Sequence, residues 1–155
     1  MLFVTIKPFL ESELISEIVL VLAKEDCDIY RSKISSINSP KPVTIVSGGE
    51  KRQESVYNGL LAADKSSELI CIHDAVRPFV DRNLINKTFE AIDNHDGVIT
   101  ALPSTDTIKE VIKDQVRATL PREKIWRAQT PQLFYRNPLL EGLELAIKEN
   151  INGTD

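Results

Sequence analysis

Three stretches of this sequence combine reactive residue types with spacings that suit the ends of strands. The first is Ser47-Gly48-Gly49-Glu50-Lys51-Arg52-Gln53-Glu54-Ser55. Paired glycines let a backbone approach a ligand closely and leave N–H groups free at the start of a following helix. A plain tight turn entering a helix would use the same residues. The second is His73-Asp74-Ala75-Val76-Arg77-Pro78. An ionised Asp at a strand end can hold a hard divalent cation such as Mg²⁺. Arg77 offers a planar fork for phosphate, and Pro78 biases it toward an extended backbone. The plainer alternative is an Asp cap beside a surface Arg. The third comprises Thr105-Asp106-Thr107 and, further on, Leu120-Pro121-Arg122 through Trp126-Arg127-Ala128-Gln129-Thr130-Pro131-Gln132. Hydroxyls and guanidinium groups this dense, interrupted by two prolines, suit a rigid anion-binding loop. An exposed loop anchored by Trp126 is the bland reading.

Strands must hold these stretches in place. Residues 17–23, 42–46, 69–72 and 97–102 are short, nearly continuous apolar runs. Continuous rather than alternating runs predict strands buried on both faces, as in a parallel sheet. Between them lie helical patterns. Residues 51–63 place Val56, Leu60 and Ala63 on one stripe, and residues 81–94 place Ile85, Phe89 and Ile92 on another, with Asp81 as N-cap. Strand and helix alternating in this way predict βαβ units and an α/β fold. In such sheets ligands bind beyond the carboxyl ends of the strands, where the Gly-Gly and His-Asp stretches fall.

The last third breaks the rhythm. Residues 107–112 and 116–120 are β-prone runs around Lys113-Asp114-Gln115 and predict a protruding hairpin or arm. Residues 121–134 read as irregular. A helix is expected from Asn137-Pro138, an N-cap followed by Pro at the first helical position, with Leu139, Leu140, Leu143 and Ile147 as its buried face. Asn152-Gly153-Thr154-Asp155 reads as its stop. Residues 2–10 form a short, apolar, helix-like piece ahead of the first strand.

Composition narrows the class. A chain of 155 residues, 42% hydrophobic and 27% charged, is one globular domain or most of one. Its longest apolar run is six residues, against about 20 needed to span a bilayer. No signal or transit peptide is apparent. The net charge of −4 disfavours non-specific nucleic-acid binding. Residues 107–136 nevertheless carry seven basic side chains against three acidic ones, a patch suited to a small anion. Cys27 and Cys71 form no C-x-x-C, and His73 and His95 stand at no zinc-ligand spacing.

Four motifs occur in order: G-G-E-K-R-Q-E-S-V-Y-N-G-L, H-D-A-V-R-P-F-V, A-L-P-S-T-D-T-I-K and L-P-R-E-K-I-W-R-A-Q-T-P-Q-L-F. Together they resemble the 2-C-methyl-D-erythritol 4-phosphate cytidylyltransferases of the non-mevalonate isoprenoid pathway. The resemblance implies a Rossmann-like, mostly parallel sheet of the nucleotidyltransferase type. It also implies a single nucleotidyltransferase domain over 1–155, with residues 105–120 as a dimerisation arm. The implied reaction is attack of an acceptor phosphate oxygen on the α-phosphorus of CTP, with pyrophosphate leaving. By the same resemblance Gly48, Gly49, Glu50 and Ser55 would line the cytosine pocket. Asp74 would sit near the ribose and bind catalytic Mg²⁺, and Arg77 would contact the methylerythritol phosphate. Thr107, Arg122 and Thr130, supported by Asp106, would complete the acceptor site across a homodimer interface. A cytoplasmic enzyme is implied, or a plastid one in a plant or plastid-bearing parasite, with neither nucleic acid nor membrane as partner.

Members of that family open with a strand and an A-A-G-x-G-x-R-M loop, followed by a helix carrying a Lys. Their C-terminal portion adds an Asp and a Lys near the acceptor. The sequence contains neither, so the expectation is a fragment incomplete at both ends and weakly active or inactive alone. A sister cytidylyltransferase using ribitol 5-phosphate shares the G-G and H-D-A-x-R-P segments. A non-catalytic nucleotide-binding or dimerisation module is the alternative from another class. A receiver-like signalling domain expects an acidic pair after the first strand and a Lys after the last, and neither is found.

Overall fold

Residues 1–36 and 38–153 are described by the structure, a computed structural model. The four apolar runs fold as β1 (Ile18–Leu22), β2 (Val43–Ser47), β3 (Leu69–Ile72) and β4 (Gly97–Pro103). The piece ahead of them is α1 (Leu2–Glu11), which tolerates Pro8 inside it. Lys41 Nζ donates to the carbonyls of Phe9 and Ser12 at its C-terminal end, where a cation meets the negative end of the helix dipole. The remaining helices are α2 (Cys27–Ser35), α3 (Arg52–Ala62), α4 (Arg82–Glu90) and α5 (Arg136–Lys148). The expected α4 cap is present: Asp81 Oδ1 accepts from the Leu84 amide at 2.7 Å.

β1 and β2 pair in parallel, joined through α2, with α3 against both strands. The other sheet has the order β3-β7-β4, where β7 is Trp126–Tyr135. Both β3 and β4 run antiparallel to β7, so they are parallel to each other. The α/β class and the parallel sense of its early strands are therefore as expected. The irregular segment expected over 121–134 is not. After a short 3₁₀ turn at Arg122–Lys124, the chain becomes the middle strand of this sheet. Leu133 is fully buried, and Thr130, Pro131 and Gln132 are buried with it. A buried strand built partly from polar residues and a proline escapes any search for apolar runs. The register slips between Ile99 and Ala101 of β4, so residues 129–131 of β7 bulge, and Thr100 Oγ1 donates to the Pro131 carbonyl at 2.9 Å. Bulges of this kind re-aim side chains. The Thr130–Pro131 peptide is cis.

The arm is a hairpin of β5 (Lys109–Ile112) and β6 (Gln115–Thr119). Its two-residue turn puts Lys113 and Asp114 both at positive φ, the geometry that matches the twist of the flanking strands. α5 departs from expectation. It begins at Arg136 rather than after Asn137, none of its side chains is fully buried, and Ile147 is half exposed. The reason is that α5 packs mainly on α3 and β7, which leaves the rest of its surface open to solvent. Arg136 ties it down by donating to the carbonyls of Leu60, Ala63 and Asp64 at the C-terminal end of α3. Of the expected stop, Thr154 and Asp155 lie outside the described residues.

Among the described residues no ladder joins the two sheets. Between β1 and β3 lies a cavity of about 680 Å³, walled by both strands and by the inner faces of α1 and α3. The core divides accordingly. Leu2 and Ile6 of α1 pack with Leu20 on the β1 side, whereas Phe9 of the same helix packs with Val80 and Ile85 on the other. No helix among the described residues is long and apolar enough to cross a membrane.

Candidate functional site

The Gly-Gly stretch leaves the C-terminal end of β2 and turns into α3. Ser55 Oγ accepts from the Gly49 amide at 3.1 Å, and Glu54 Oε2 accepts from the Glu50 amide at 2.9 Å. Asn58 Nδ2 donates back to the Ser47 carbonyl at 3.2 Å. Helix side chains thus hold the loop from below. The fit requires glycine at position 49: a Cβ there would stand 2.4 Å from both Cβ and Oε2 of Glu54. Glu54, given no role in the sequence reading, is the residue that closes the loop. The sequence did carry a trace of it, as an acid in the first turn of a helix.

The His-Asp stretch leaves the C-terminal end of β3. Arg77 Nε donates to Asp74 Oδ2 at 2.8 Å, and an Nη1 hydrogen of Arg77 goes to Gln129 Oε1 on the β7 bulge. Arg52, at the start of α3, brings Nη2 to 3.7 Å from Asp74 Oδ1 and donates to Gln132 Oε1 at 3.1 Å. One carboxylate therefore sits between two guanidinium groups. The Asp74 side chain keeps 27% of its surface exposed and remains reachable. Thr130 enters the same cluster, where its hydroxyl accepts from the Asp74 amide at 3.2 Å. Burial pushes the His73 imidazole below its ordinary pKa; the Arg77 carbonyl it bonds and the Asp74 carboxylate oppose that shift.

The structure thus gathers Asp74, Arg77 and Thr130 and adds Arg52, Gln129, Gln132 and His73, which the sequence reading left without roles. Arg52 links this cluster to the Gly48–Gly49–Glu50–Ser55 loop, since it opens the helix that loop enters. Asp106, Thr107 and Arg122 form a separate group. Asp106 and Thr107 are exposed at the base of the arm, and Arg122 Nη1 donates to the Thr105 carbonyl at 3.3 Å. Among the described residues no hydrogen bond or ion pair joins this group to Asp74. Trp126, near Arg122, and Thr130 are four strand positions apart, roughly 13 Å.

The family model described as "IspD: 2-C-methyl-D-erythritol 4-phosphate cytidylyltransferase" matches residues 1–155. The chain belongs to the IspD family. It is 40% identical over 151 residues to a protein of Clostridioides difficile (strain 630) named 2-C-methyl-D-erythritol 4-phosphate cytidylyltransferase, covering 97% of this chain and 64% of that one. A protein of the same name from Solibacter usitatus (strain Ellin6076) is 38% identical over 155 residues, again with 97% and 64% covered. Among solved structures, the 4-diphosphocytidyl-2C-methyl-D-erythritol synthase of Anaerococcus prevotii DSM 20548 superposes with a TM-score of 0.89 at 34% identity, covering 99% of this chain and 67% of that one. The chain thus spans just under two thirds of the length of these two curated IspD relatives.

Proposed function

We propose that this chain carries the site of a cytidylyltransferase that transfers CMP from CTP to 2-C-methyl-D-erythritol 4-phosphate. A phosphate oxygen of the acceptor attacks the α-phosphorus of CTP, a new P–O bond forms, and the α–β phosphoanhydride breaks to release pyrophosphate. The observation that carries this reading is the Asp74 carboxylate set between Arg77 and Arg52 at the strand end, beside a backbone loop closed by its own helix.

Catalysis of this kind rests on positioning and on neutralising charge at phosphoryl oxygens. Gly48, Gly49, Glu50 and Ser55 receive the cytosine. Arg77 receives the acceptor phosphate: its bonds to Asp74 and Gln129 use two of the five N–H donors an Arg carries. Arg52 adds positive charge beside it. Asp74 would hold Mg²⁺, which when bound neutralises charge on the phosphates. A single carboxylate with substrate phosphates and waters suits this ion, and among the described residues no cluster of three His, Cys, Asp or Glu offers a full protein cage.

The acceptor site would be completed across a homodimer by Thr107 and Arg122 with Asp106. The exposed Val111, Ile112 and Val116 on the arm give a dimer something to bury. Cytoplasm, or a plastid, is the setting this reading implies.

The test is calorimetric titration with CTP and Mg²⁺, followed by pyrophosphate release on adding each acceptor. CTP binding is expected, with release, weak in the chain alone, that favours methylerythritol phosphate. Preference for ribitol 5-phosphate would move the protein to the sister activity, and failure to bind CTP would overturn the reading. Light scattering tests the dimer.

A further inference from the structure

His73 sits outside every role given above, yet its ring bonds one end of the turn that presents Asp74 and Arg77 directly and the other through Thr130. Nε2 lies 3.0 Å from the Arg77 carbonyl, and Nδ1 lies 2.9 Å from Thr130 Oγ1. A carbonyl only accepts, so Nε2 must carry the hydrogen. In the neutral ring Nδ1 is then the acceptor, and the Thr130 hydroxyl must donate to it. The lone pairs of that hydroxyl take the Asp74 amide. In the neutral ring every direction is then fixed: Asp74 N–H to Thr130 Oγ1, Thr130 O–H to His73 Nδ1, His73 Nε2–H to the Arg77 carbonyl. The sequence closes on itself through the turn, where the Arg77 amide donates to the Asp74 carbonyl at 3.0 Å. Thr5 Oγ1 holds the middle by donating to the Ala75 carbonyl at 2.8 Å, and the Phe9 ring covers the imidazole at 5.0 Å between centroids.

We infer that His73, as the neutral Nε2–H tautomer, is a positioning residue that holds Asp74 and Arg77 in facing geometry through a closed ring of hydrogen bonds with Thr130. The Thr130 hydroxyl points inward in this arrangement and spends its one hydrogen on His73. The link to turnover rests on the reading under Proposed function; the ring itself does not.

The experiment separates the two. Long-range ¹H–¹⁵N spectra of the full chain should show His73 Nδ1 as an imine-type nitrogen and Nε2 as a protonated one. Thr130→Val should move the Nδ1 resonance and leave Nε2 in place. A protonated Nδ1, an averaged pair of tautomers, or no response to Thr130→Val would overturn the ring. His73→Phe keeps a ring against Phe9 and removes both bonds. It should speed exchange of the Arg77 Nε–H by about tenfold or more while amide dispersion elsewhere is kept. If His73→Phe does not fold, Thr130→Val takes its place in this measurement. An unchanged Arg77 signal in a folded variant would overturn the positioning role. In the pyrophosphate assay His73→Phe should lower kcat on the order of 10²-fold, with KM for CTP nearly constant. A chain with the expected spectra but no CTP binding would count against the proposed function and not against the ring. Turnover with unchanged kcat in His73→Phe would overturn the positioning role.

Discussion

Arg77 Nε donates to Asp74 Oδ2 at 2.8 Å across a single turn, while Arg52 approaches the other oxygen of the same carboxylate at 3.7 Å from a different helix. Asp74→Asn preserves the side chain's volume, removes the charge and leaves the guanidinium groups facing each other. It should cut kcat by about 10²–10³-fold, the usual scale for losing one preorganised electrostatic partner, and raise the Mg²⁺ concentration needed for half-maximal rate. Pyrophosphate release measured across a Mg²⁺ series checks this. An unchanged metal dependence would remove the ion from Asp74.

Arg122 stands at the base of the arm, apart from the Asp74 cluster, with its Nη1 on the Thr105 carbonyl. If it serves the acceptor phosphate of a neighbouring subunit, Arg122→Ala should raise KM for methylerythritol phosphate by about 10-fold or more, the cost of one charge-assisted contact. KM for CTP should stay within about twofold. Equal weakening of both substrates would argue that Arg122 supports the fold of the arm instead.

Position 49 has no room for a side chain. Gly49→Ala forces Glu54 aside and frees the Glu50 amide it holds. Overpacking of this kind costs about 1–3 kcal/mol, and here it should also loosen the nucleotide loop. A lower urea midpoint together with weaker CTP binding in calorimetry is expected. A loss of stability with CTP affinity intact would separate the loop from the nucleotide.

Cys71 lies on β3, packed toward Phe9, Val80 and Ile85, and burial pushes its thiol up to about 12 from an ordinary 9.0. Because the folded value lies above the unfolded one, the unfolded chain ionises first as pH rises. The neutral thiol thus contributes stability fully present below about pH 9 and lost progressively between 9 and 12. Urea midpoints should fall more steeply above pH 9 in the parent chain than in Cys71→Ala. Parallel slopes would mean that the thiol ionises freely in the folded protein.

Much of this arrangement was legible in the residues. β1 and β3 are nearly continuous apolar runs, and Asp81 announced α4 by its type and place. The proximity of Asp74 and Arg77 follows from their spacing across a turn. β7 was hidden because its buried members include Thr130, Pro131 and Gln132, whose polarity is satisfied by His73, Arg52 and neighbouring strands rather than by water. The same satisfaction explains why Arg52, Gln129 and Gln132 carried no sequence signal. Their meaning depends on partners 52 to 80 residues away in the chain. The buried face expected for α5 assumed a layer above it, and a helix resting on the surface of α3 and β7 needs only half a face.

The divided core has a mechanical consequence. Among the described residues the leaf of β1 and β2 meets the leaf of β3, β7 and β4 through helices and not through a shared ladder, so α1 acts as the rivet, since Leu2 and Ile6 grip one leaf and Phe9 the other. The molecule should therefore come apart in stages. Amides of β1 and β2 should lose deuterium protection at a lower denaturant concentration than those of β3 and β7, and α1 should let go with whichever leaf yields first.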